Sequence, residues 1–120
     1  MQACLILTAQ KIVLAAGSFS LLWSGAGDAR WEEVWNVGLA GFQLAEIRAS
    51  GEGVTPPEGA ARDGDIWRYQ PALAMIEDQI LIERQPLKGG SWQVCAGGTC
   101  RPLPDDPEKP GGTALLKPCP

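Results

Sequence analysis

Apolar and polar positions alternate through much of the chain. Phe19, Leu21 and Trp23 fall on every second residue; further on, Trp31, Glu33, Trp35 and Val37 share one parity and Glu32, Val34 and Asn36 the other. A period of two is the signature of a strand, so both runs predict strands, although in the second neither face is wholly apolar. Two short apolar runs precede them, Ala3 to Thr8 and Lys11 to Ala15, and these also read as strands. Phe42 to Arg48 and Ile66 to Tyr69 are β-compatible, the latter closed by Pro71. Leu73, Ile76 and Ile80 have helical spacing whereas Gln79 to Arg84 suits a strand, and a short helical turn followed by a strand is expected there. Ser91 to Cys95 and Cys100 to Leu103 flank Ala-Gly-Gly-Thr, a hairpin signal in which Gly97 and Gly98 are free to take positive φ. Thr113 to Lys117 is the last apolar run.

The connections are equally legible. A small-residue loop runs from Ser24 to Arg30, a turn from Gly38 to Gly41, a Gly- and Pro-rich loop from Ala49 to Asp65, and a Pro-rich connection from Pro102 to Gly112. Loops as long as the third are uncommon and often functional. The pattern predicts an all-β single domain over residues 1–120. Its form is a sandwich or partly closed barrel of about eight short, mostly antiparallel strands with at most one short helix.

Composition narrows the function. A length of 120 residues suits one core, and 45% apolar with 20% charged residues is ordinary globular usage. Glycine (15) and proline (10) favour short strands and turns over long helices. Ten Lys and Arg are scattered singly against fourteen Asp and Glu, a net charge of -4, which excludes the clustered cations of a nucleic-acid site. The chain has no histidine. That removes the usual general base, the Ser-His and Cys-His nucleophile pairs and the commonest metal ligand, so no catalytic residue and no cofactor is assigned. The first 23 residues are apolar, but Gln10 and Lys11 interrupt them and no basic segment precedes the run, so strands fit better than a transmembrane segment or an export signal. On sequence alone the compartment is cytoplasmic.

Cys95 and Cys100 stand at the two ends of the hairpin loop, where opposed strands bring Cα atoms to about 4.5 to 5.5 Å and a disulfide fits. Cys4 and Cys119 form a second bridge if the first and last strands pair; free buried thiols are the alternative for all four. One near pair with two distant cysteines does not match a structural zinc site, and no metal is expected. The five tryptophans, Trp23, Trp31, Trp35, Trp67 and Trp92, suit a pleated core. The functional alternative is an exposed aromatic platform on Trp31 and Trp35. The loops Ser24 to Arg30 and Ala49 to Val54 have the small-residue character of turns, or of a backbone concavity that binds anions. Asp28, Glu32, Glu33 and Glu52 form either a solvated rim or an acid and base pair.

With these strands and loops in order, the chain resembles the bacterial family known as domain of unknown function 1850 over nearly its whole length. The family pattern runs from an aromatic strand ending in Trp, through His-Ser-Val-Glu-Lys, to Trp-x-Glu-x-Trp; Phe19, Leu21 and Trp23 match the strand, and Trp31, Glu33 and Trp35 the last part. Its Gly-Ser-Gly-Ala-Gly-Met before a proline pair is similar to Ser50, Gly51, Gly53, Pro56 and Pro57, and Trp67, Trp92, Cys95 and Cys100 complete the likeness. In place of the histidine motif this chain reads Ser-Gly-Ala-Gly-Asp-Ala-Arg, with Asp28 and Arg30 left to stand for the acidic and basic members. The resemblance implies an accessory protein encoded beside tripartite periplasmic transporters of the TAXI type, and with the disulfides it implies the periplasm. The partner would be the solute-binding or a membrane component. The expected ligand or partner rim is Asp28, Arg30, Glu33, Ser50, Gly51, Glu52 and Gly53, in a non-enzymatic binding domain. The alternatives are a small enzyme using Asp28 with Glu33 or Glu52, and a scaffold that has lost its family site.

Overall fold

Alternation becomes pairing in the computed structural model, which describes residues 2–7, 11–14, 17–38, 40–72, 76–81, 87, 90–103 and 114–119. Twelve strands are formed among the described residues: β1 (Gln2–Ile6), β2 (Lys11–Leu14), β3 (Ser18–Ser24), β4 (Arg30–Gly38), β5 (Gly41–Ser50), β6 (Ala61–Asp63), β7 (Ile66–Tyr69), β8 (Ile76–Glu77), β9 (Ile80–Leu81), β10 (Ser91–Ala96), β11 (Thr99–Leu103) and β12 (Leu115–Cys119). They make two antiparallel sheets. The smaller has the order β2-β1-β12-β9; the larger has the order β11-β10-β3-β4-β5-β7-β6, with β8 pairing the start of β5.

The long strands β3, β4 and β10 obey their period. Phe19, Leu21 and Trp23 align with Trp35, Glu33 and Trp31 on β4, and Leu21 and Trp23 with Val94 and Trp92 on β10, so one face of the large sheet carries an apolar layer with Glu33 buried within it. β5 joins that layer through Phe42, Leu44, Ile47 and Ala49. The parity changes between Leu44 and Ile47, and the β4–β5 register shifts between Val34 and Trp35. The resulting bulge turns both halves of β5 inward. Phe19 and Phe42 meet edge to face, with ring centroids 5.1 Å apart. Ala3, Leu5, Leu14, Ile80 and Leu116 of the small sheet belong to the same buried cluster, so the two sheets share one core.

The first and last strands pair, and a bridge joins Cys4 to Cys119 across them with Cα atoms 5.7 Å apart. Cys95 and Cys100 face each other in the β10–β11 register and form the second bridge. No described cysteine is free.

The strands exceed the expected number in part because β6 and β8 have three and two residues, too few for alternation to register; β9 falls within the strand expected from Gln79 to Arg84, of which 82–84 lie outside the described residues. The loop expected from Ala49 to Asp65 is correspondingly shorter: Ala49 and Ser50 end β5, and 61–63 are strand. No helix occurs among the described residues. Of the residues with helical spacing, Ile76 and Ile80 lie in β8 and β9 and Leu73 falls outside the described residues. Among the described residues no helix is long and apolar enough to cross a membrane.

Candidate functional site

Two loops distant in sequence meet at one end of the large sheet. The first is the tip of the β3–β4 hairpin, closed by Gly25 N–H donating to the Ala29 carbonyl (3.0 Å) and Ala29 N–H to the Ala26 carbonyl (3.2 Å). Gly25 lies on the Trp23 ring, and a Cβ there would come within 2.1 Å of it. The second loop leaves β5 at Gly51, whose φ is 88° and whose backbone rests on the first; a Cβ at 51 would sit 2.3 Å from the Asp28 carbonyl oxygen. Only glycine meets both demands. The contact is fixed from the other side by Glu52 N–H, which donates to Asp28 Oδ1 at 3.3 Å.

A third wall comes from the β6–β7 hairpin, where Asp63 pairs with Ile66 around the two-residue turn Gly64-Asp65, with Gly64 at φ 63°. Glycine at the first turn position suits a type II′ hairpin. Together the three segments enclose a cleft of about 440 Å³ lined by Asp28, Ser50, Gly51, Glu52, Val54, Arg62, Asp65 and Trp67. Trp67 aligns with Ala49 and Arg62 in register, so it continues the tryptophan row of the inner face to the edge of the sheet and is half-buried there. The Arg62 guanidinium lies over its ring at 5.7 Å from the centroid.

Of the expected rim, Asp28, Ser50, Gly51 and Glu52 line the cleft. Gly53 is exposed on the loop beside it without lining it, and Arg30 is turned back onto its own hairpin, Nη1 donating to the carbonyls of Gly27 (3.2 Å) and Ala29 (2.7 Å). Glu33 is not on the rim. It is 4% exposed because β4 places it inward between Trp31 and Trp35, whose indole N–H groups donate to its Oε2 (2.9 Å) and Oε1 (3.0 Å). Trp31 and Trp35 are themselves 8% and 6% exposed, so they form core and not an open platform. Of the two carboxylate pairings, Asp28 with Glu52 shares the cleft and Asp28 with Glu33 does not.

Val54 belongs to the loop expected to form the rim, Ala49 to Val54, whereas Arg62, Asp65 and Trp67 were absent from it. Trp67 lies on the strand expected from Ile66 to Tyr69, and the signal for Arg62 and Asp65 is Asp-Gly-Asp before that strand, a hairpin turn hidden at the end of the long polar loop.

The opposite face of the large sheet carries Glu32, Glu46, Arg48, Asp63 and Arg68 as an ion-pair network. Arg48 reaches Glu32 (2.8 Å) and Glu46 (2.7 Å), and Arg68 reaches Glu46 (3.4 Å) and Asp63 (2.9 Å). Burial pulls the Arg48 pKa down, but Glu32 and Glu46 outweigh it and hold it above the ordinary arginine value. Three carboxylates meet two guanidiniums in the network, and Glu46, shared by both arginines, makes it a brace across β4, β5, β7 and β6. Among the described residues no cluster of Cys, Asp and Glu could hold a metal ion. No family model, no curated protein and no solved structure matches the chain.

Proposed function

We propose that this protein is a non-enzymatic binding domain, and that it docks the solute-binding component of a tripartite periplasmic transporter, or that transporter's solute, through the cleft beside Trp67. The observation that carries the reading is the seating of Gly51 on Asp28. It joins the tip of the β3–β4 hairpin and the β5–β6 connection into one walled recess and presents an aromatic side chain at its edge. A recess of this kind, with a few polar groups converging beside an aromatic wall, is the usual form of a ligand site. The lack of histidine in the chain supports binding over acid and base chemistry. The transporter setting comes from the family resemblance, and the two disulfides support an oxidising compartment such as the periplasm.

Titration of the purified chain against the extracytoplasmic solute-binding protein of a TAXI-type transporter tests the docking. Saturable binding that Trp67→Ala weakens is the expected result. Absence of binding at high micromolar concentration, in the presence and absence of solute, contradicts it.

A further inference from the structure

We infer that the cleft takes a ligand bearing a guanidinium or alkylammonium group, seated on the Trp67 indole in the place that Arg62 occupies. This rests on the cleft being a binding site and adds the chemistry of what it binds.

The cleft already displays the interaction. The Arg62 guanidinium carbon stands 5.7 Å from the Trp67 ring centroid, within the roughly 6 Å over which an indole face attracts a cation. Arg62 is otherwise held by a single hydrogen bond, Nε donating to the Gly64 carbonyl at 2.9 Å, and makes no ion pair among the described residues. Asp28, Glu52 and Asp65 line the same recess, and none of them makes an ion pair among the described residues. Three carboxylates against one guanidinium leave the recess with a net charge of -2. A walled, negatively charged recess concentrates cations and repels anions. The indole supplies a face that suits a flat or methylated cation, and Val54 supplies an apolar wall for its stem.

Arg62 therefore acts as a placeholder. It lies on the exposed β6–β7 hairpin, and an incoming cation competes with it for the same ring face. This gives a sign that other ligand classes do not share: removing Arg62 strengthens the binding of a cation, whereas it weakens the binding of an anion or of a polar neutral ligand that uses Arg62 as a donor.

Calorimetric titration of the full chain with L-argininamide, beside the Arg62→Ala and Trp67→Leu variants, provides the test. Arg62→Ala is expected to bind about two- to fivefold more tightly than the wild type, the gain from releasing one solvent-exposed cation–π contact. Trp67→Leu is expected to lose binding, with near-ultraviolet circular dichroism reporting that its fold is kept. A blocked Ala-Arg-Ala peptide run in parallel distinguishes the sources of the cation. Tighter binding of the peptide identifies an arginine side chain of a partner, and equal or weaker binding a free organic cation. Argininamide binding that Arg62→Ala weakens, or no binding by either wild type or Arg62→Ala, overturns the inference. The reading of the cleft as a site survives that result if the transporter solute-binding protein still binds in a Trp67-dependent way, and falls with it if that binding is absent too.

Discussion

Glu33 occupies an inward position of β4 whose neighbours across the sheet, Leu21 and Ile47, are apolar. A carboxylate there is costly unless its oxygens are satisfied, and two buried indole N–H groups are costly unless they find acceptors. Trp31 and Trp35 flank it two residues away on the same face, so one side chain with two acceptor oxygens serves both rings. Glu33→Gln replaces one of those oxygens with an amide that can only donate, leaving one indole N–H facing a donor. The expected cost is about 1–3 kcal/mol of folding stability, measured by urea denaturation. The cost should shrink in a Trp31→Phe or Trp35→Phe background; an equal cost in all backgrounds would show that the indoles are not the partners that matter. Alternation placed Trp31, Glu33 and Trp35 on one face, but it did not reveal which way that face points. A lone glutamate defaults to the surface, and only the joint geometry of three side chains reverses the default.

Strands long enough to repeat their period were readable: β1 to β4 and the β10–β11 hairpin fall where the pattern puts them. β6 and β8 were not, since two or three residues carry no period, while β9 lies in the run from Gln79 that reads as a strand. β5 held more information than a plain reading extracts. The step from Phe42 and Leu44 to Ile47 and Ala49 breaks parity once, and that break is the bulge. The two bridges also belong to this scale. Cys95 and Cys100 are 5 residues apart, whereas Cys4 and Cys119 are 115 apart and tie together the strands that complete the small sheet. In the chain-entropy account a bridge constrains the unfolded chain more as its loop lengthens, giving about 2 kcal/mol for the hairpin bridge and about 5 kcal/mol for the terminal one. Alanine replacement of each pair, compared by denaturation midpoint, should show that order. A larger loss from the hairpin pair would mean that it holds β10 and β11 in the sheet rather than merely closing their turn.

The cleft exists only at the scale of the whole molecule. Asp28 and Gly51 belong to different loops and are brought together by the pairing of β4 with β5, which ends at Arg30 and Ser50. The loops themselves were legible as small-residue segments, and four of the expected rim residues do line the cleft. Arg62, Asp65 and Trp67 were not legible as site residues, because β6 and the turn after it lie within what reads as one long polar loop, and the approach of the β6–β7 hairpin to the tip of β3–β4 leaves no mark in the sequence. The fold places this cleft at the Arg30 and Ser50 end of the large sheet and the paired Gly38 and Gly41 at the other end. Amide and indole shift mapping by nuclear magnetic resonance, with L-argininamide added to the full chain, therefore tests the account most directly. It predicts saturable shifts at Asp28, Ser50 to Val54, Arg62 to Trp67 and the Trp67 indole N–H, with Gly38 and Gly41 unmoved; shifts scattered over both ends, or none at the cleft, would contradict it.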